Sequence, residues 1–207
     1  MYLVPLLLSL TVHEWAHAWS AYRLGDDTAS KLGRLTLNPI AHIDPFGSLI
    51  LPLLHIPFGW AKPVPVNPTR FRKGVNISTG MIITAAAGPL ANVVLAVLCA
   101  VAFGLLARFS PDALHAKFGM APLLLILIQI NVTLAIFNMI PIPPLDGSRV
   151  VDGLIPYSWR PQWESIVRLS PILLVLVVIG SQRIGIISAP ANYVVGLLMN
   201  LIGAIQS

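Results

Sequence analysis

The chain has 207 residues, of which 56% are hydrophobic and only 10% charged. Soluble domains carry roughly one quarter charged residues, so this composition excludes a water-soluble fold and points to one polytopic membrane domain over residues 1–207. The net charge of +5 is dispersed between apolar segments rather than gathered in a basic helix, which excludes nucleic acid as a partner and leaves the charge to report topology.

Residues 2–24 form the first apolar segment, long enough to cross a bilayer as one helix. His13, Glu14 and His17 lie inside it. Ionisable side chains at that depth are costly and rare, and a divalent metal is the partner that would offset their desolvation. On a helix, His13 and His17 share a face one turn apart and can hold one zinc. Glu14 projects about 100° away, within reach of a water at the metal without ligating it. That is the arrangement of a zinc hydrolase with glutamate as general base. No basic stretch precedes the segment, and cleavage after it would discard the motif, so a cleaved signal peptide is not expected.

Residues 30–76 are Pro-rich and irregular. Within them, residues 33–38 alternate like a short strand, which would serve either as an edge for an extended peptide or as a structural collar. Residues 44–60 have a short apolar core broken by Pro52 and Pro57, and are read as re-entrant or interfacial. Long apolar runs follow at 79–107 and 121–140. Residues 169–187, interrupted by Pro171 and Gly180, and residues 191–205 are expected to form a final hairpin. The expected fold is therefore all-α, with about five to six transmembrane helices and a partly β, re-entrant segment between the first two. If the first helix ends in the cytoplasm, ten basic residues (Arg23, Lys31, Arg34, Lys62, Arg70, Arg72, Lys73, Arg149, Arg160 and Arg168) fall inside. Only Arg108, Lys117 and Arg183 fall outside. This positive-inside bias places the N-terminus outside and the C-terminus in the cytoplasm.

A catalytic zinc wants a third protein ligand and one open position. The single cysteine, Cys99, lies in an apolar run and reads as packing. Among the acidic residues, Asp112 lies in the expected external loop, while Asp26, Asp27, Asp152 and Glu164 read as solvated loop charges. Asp146 follows Pro141, Pro143 and Pro144, which end the third span at the side where the first helix exits. Topology therefore selects Asp146, against the alternative of a plain Asp-Gly turn. Asn138 shares a helix face with Asn131, and polar residues so placed are also common glue between helices. Asn92, after Gly88-Pro89, reads as a packing residue or as support for a ligand. His42, His55 and His115 read as structural, and Trp15 and Trp19 as facing lipid or a neighbouring helix.

These motifs together resemble the site-2 protease family of intramembrane zinc metalloproteases. They are His13-Glu14-Trp15-Ala16-His17, Ala87-Gly88-Pro89-Leu90-Ala91-Asn92, and Phe137-Asn138-Met139-Ile140-Pro141 leading to Leu145-Asp146-Gly147. Asn38-Pro39, Asp44-Pro45-Phe46-Gly47 and the run from Gly59 to Pro68 resemble its compact prokaryotic subgroup, with no stretch left for a PDZ or CBS module. Pro144-Leu145-Asp146-Gly147 stands where the more familiar form has Asn-Pro-Asp-Gly. The resemblance implies one zinc on His13, His17 and Asp146, Glu14 as general base, and Asn138 in contact with the substrate or its oxyanion. It implies cleavage of transmembrane protein substrates in the lipid bilayer near the cytoplasmic side. A metal-binding membrane transporter is the rival from another class, although it does not explain Glu14 beside His13 and the chain shows no inverted repeat. An inactive scaffold is a third. Substrate identity, gating and oligomeric state are not legible.

Overall fold

The computed structural model describes residues 3–50, 61–115 and 120–206. The first helix, α1 (Leu3–Leu24), is followed by a short α2 (Thr28–Lys31) and by 3-10 turns at Pro39–His42 and Pro68–Arg70. Then come α3 (Ile77–Phe109), α4 (Pro111–His115), α5 (Ala121–Asn138), α6 (Asp146–Leu154), α7 (Arg160–Ile184) and α8 (Ser188–Gln206). Asn38, Asn67 and Asn76 each cap a following turn or helix by accepting a backbone N–H. Pro161 opens α7 at a position where its missing N–H costs nothing.

The long α3 is the axis of the fold. At 1.5 Å per residue it runs about 50 Å, and α1, α5, α6 and α8 all pack on it. α1 runs opposite to it: His17 meets Thr84, while His13 and Ser9 meet Asn92. Along the axis the core divides in two. Towards the C-terminal end of α3 it is apolar, built from Ala96, Ala100, Phe103, Ile128, Leu198 and Ile202. Towards its N-terminal end it is polar, with Ser9, His13, His17, Thr84, Asn92 and Asn131 all buried.

Among the described residues, four helices are long and apolar enough to cross a membrane: Ile77–Phe109, Ala121–Asn138, Tyr157–Ser181 and Ser188–Gln206. The expectation of five to six spans is not confirmed on this measure. α1 has the length, with 22 residues, but its buried Ser, Thr, His and Glu residues lower its apolarity, and it is sheltered against α3. The partly β expectation is corrected. Residues 33–38 form no strand because their backbone has no ladder partner: Arg34 N–H bonds Ala29, and the Thr36 carbonyl is taken by His42. Most of the expected re-entrant stretch, residues 51–60, lies outside the described residues, and Pro45–Ile50 before it forms one π-helical turn.

The direction of the last helix also differs from expectation. Ile205 packs where a Cβ on Gly104 would sit, and its carbonyl accepts from Arg108 at 3.0 Å. α8 therefore runs parallel to α3 and ends at the same end of the bundle from which α1 starts. Among the described residues, α7 packs mainly on the Tyr157–Trp159 turn before it and forms no close hairpin with α8. Pro171 lies within α7 without ending it.

Candidate metal centre

α1 brings His13 and His17 to the face that meets α3. Gly88 makes this approach possible, since a Cβ there would lie 2.5 Å from His17 Nε2 and 2.7 Å from His13 Cε1. Asp146 arrives from the other side, as the first residue of α6 after a loop that contains a cis Pro143–Pro144 bond. Gly147 lets this turn press on the end of α5, because a Cβ there would collide with the Met139 and Ile140 carbonyl oxygens. The three side chains are buried. His13 Nε2 and His17 Nε2 lie 3.0 Å apart, and Asp146 Oδ2 is 3.0 Å from the first and 3.2 Å from the second.

Hydrogen bonds behind the rings fix their tautomers. His17 Nδ1 lies 2.7 Å from the Thr84 carbonyl, which can only accept, so that nitrogen carries the proton. Asn92 donates its amide to the Ser9 carbonyl and to Asn131 Oδ1, which turns Asn92 Oδ1 toward His13 Nδ1 at 2.6 Å. His13 is thereby held in the same tautomer. Both Nε2 lone pairs then face each other and Asp146 Oδ2, which is buried without a hydrogen-bond donor. Three acceptors in a dry pocket repel unless a cation lies among them. Donor atoms about 2.0–2.1 Å from a four-coordinate zinc stand roughly 3.3 Å apart, so the cluster fits such an ion. His13, His17 and Asp146 form the one metal-capable group of this kind among the described residues.

Glu14 stands off this ligand face, as its helical position requires. Its Oε2 accepts the Val64 backbone N–H at 2.8 Å. Asn138 is not brought into the cluster; its amide donates to the Leu134 carbonyl of its own helix at 3.0 Å. His42 is structural, donating through Nε2 to the Thr36 carbonyl. Trp15 and Trp19 stack on each other at 5.9 Å. Asp26, expected to be solvated, is fully buried: it accepts from the backbone N–H of Thr28 and Asn67 and so ties the end of α1 to the segment after residue 60.

Sequence reading missed the Thr84 carbonyl, the Val64 amide and the Asn131–Ser9 support of Asn92. Backbone groups leave no trace in residue type. Asn131, however, was visible as a polar residue in an apolar run that sits on the same helical face as Leu127, Leu124 and Ile128, where lipid exposure would be prohibitive.

Among known families, residues 107–178 match Peptidase family M50. A Bacillus subtilis (strain 168) protein named "Putative zinc metalloprotease YwhC" is 42% identical over 158 residues, covering 76% of this chain and 70% of that protein. Two mycobacterial proteins share the name "Putative zinc metalloprotease Rip2". The one from Mycolicibacterium smegmatis (strain ATCC 700084 / mc(2)155) is 39% identical, over 68% of this chain and 52% of its own length. The one from Mycobacterium tuberculosis (strain ATCC 25618 / H37Rv) is 33% identical, over 71% of this chain and 54% of its own length. The chain thus spans about half the length of these two relatives. No solved structure gives a significant match. The chain belongs to peptidase family M50, the site-2 protease family of membrane zinc metalloproteases.

Proposed function

We propose that residues 1–207 act as one intramembrane zinc endopeptidase, cutting transmembrane segments of other proteins near the cytoplasmic side. The observation that carries this reading is the convergence of three buried acceptor atoms, on His13, His17 and Asp146, with Glu14 next in the chain, outside that group and accepting the Val64 N–H. These three residues would hold the zinc. When bound, zinc supplies Lewis-acid polarisation of the scissile carbonyl and acidifies water. Glu14 takes the proton of the attacking water and passes it to the leaving amine. Asn138 releases the Leu134 carbonyl and donates its amide to the bound peptide, at its main chain or developing oxyanion. A helical substrate hides its carbonyls in hydrogen bonds, so segments weakened by Gly, Pro or Asn are preferred. The side of cleavage is supported by Arg23, Arg70, Arg72 and Lys73, which gather where α1 ends and α3 begins, the end of the bundle nearer the cluster.

The test is to purify the protein in detergent, measure its metal, and reconstitute it with a single-span substrate whose helix carries Gly and Asn near its cytoplasmic end. One zinc per chain, and cleavage that stops on chelation and returns with zinc, is the expected result. Cleavage indifferent to chelation would refute it, as would metal flux across the vesicle without cleavage.

A further inference from the structure

Outside the metal cluster, the residue least explained by its role in the fold is Arg34. It is only 7% exposed, and its Nε is buried without a partner. Burial pushes its guanidinium below the ordinary value, and the nearby Glu14 carboxylate pushes it back up. The guanidinium Nη2 donates to the Lys62 carbonyl. Two residues on, the Val64 N–H donates to Glu14 Oε2 at 2.8 Å. The same short segment is anchored twice more: Lys62 N–H bonds the His42 carbonyl at 2.9 Å, and the Val64 side chain packs with Ala18 and Ala29 against Leu35. Among the described residues, the strap from Ala61 to Val64 is therefore the element that holds the Glu14 carboxylate from outside its own helix.

We propose that Arg34 is a positioning residue for Glu14, acting through the Lys62 carbonyl and the Val64 amide. A glutamate has three rotatable side-chain bonds, and a base displaced by about 1 Å from its productive position can lose about 100-fold in rate. The Val64 amide fixes one carboxylate oxygen and leaves the other to face the water. The Lys62 carbonyl, clamped by Arg34, fixes where that amide sits. Arginine suits the task because its planar fork stays charged when buried, whereas a lysine ammonium reaches the same carbonyl with a single point charge.

The inference rests on Glu14 acting as the base, and its test has two arms so that the two can fail separately. In the first, metal-free protein is followed by amide hydrogen exchange. The Lys62 and Val64 amides are protected in the wild type; the Val64 amide loses protection in both Arg34→Met and Glu14→Ala, while those of α3 and α5 do not change. This arm needs no peptidase activity. In the second, zinc content and cleavage of the single-span substrate are measured for Arg34→Met and Arg34→Lys. Arg34→Met keeps its zinc and its KM while kcat falls about 100-fold, and Arg34→Lys recovers a large part of the loss. Should Arg34→Met not fold, replacing Val64 by its α-hydroxy acid turns the N–H into an ester oxygen and reproduces the fall in kcat. Unchanged exchange at Val64, an unchanged kcat, or a joint loss of zinc, KM and kcat overturns the proposal.

Discussion

Gly88 is the tightest point of the metal centre, since both imidazoles pack where its side chain would be. Gly88→Ala must separate α1 from α3 or rotate the rings, at a cost of about 1–3 kcal/mol for overpacking. We expect that variant to fold but to lose zinc stoichiometry, as read by elemental analysis; full occupancy would contradict the packing argument. Asn92 acts one bond further out. Asn92→Ala leaves His13 Nδ1 without its acceptor, and loss of such support lowers metal affinity by about 10–100-fold. Chelator competition should show that shift, and an unchanged affinity would reduce Asn92 to glue. His13, Glu14 and His17 stood out because charge is so costly in an apolar run, and Asp146 because the proline loop places it at the side where α1 ends. Their supports were less legible. Thr84 acts through its backbone, and Arg34 is indistinguishable in sequence from a topology signal.

Hydropathy located α3 and α5 well. The runs at 79–107 and 121–140 correspond to Ile77–Phe109 and Ala121–Asn138, with the Asn76 cap setting one start and the proline loop one end. It failed at α7, expected to begin at 169 but starting at Arg160, because a polar, proline-initiated first turn carries no apolar signal. It also failed at residues 33–38, where alternation had no strand to pair with. The joint between α1, α3 and α5 is a closed polar network rather than an apolar seam: Asn131 donates to Ser9 Oγ at 2.9 Å and accepts from Asn92 at 2.7 Å. Asn131→Leu strips a partner from both neighbours in a dry interior and should destabilise the protein by about 1–3 kcal/mol, with a weaker hold on zinc. Thermal unfolding in detergent measures it, and an unshifted midpoint would show that the network adds nothing.

For the whole molecule, the parallel course of α3 and α8 makes a prediction that hydropathy alone would not. Tags at the two termini should be accessible from the same side of the membrane as Arg108, and cysteines introduced at Arg70 and Lys73 from the opposite side. A C-terminal tag on the side of Lys73 would mean that α7 and α8 pair as a hairpin after all. The apolar half of the core then lies away from the site, and the polar half supports it at the end where basic residues collect. The central claim is that a metal held by three residues and a base held by a separate strap together perform peptide hydrolysis. It is tested most directly by Glu14→Gln, which preserves shape but cannot accept a proton. Zinc content and cleavage of the reconstituted single-span substrate are measured on the same preparation. The account predicts one zinc per chain, as in the wild type, with cleavage slowed by about two to four orders of magnitude; cleavage at the wild-type rate with zinc in place would contradict it.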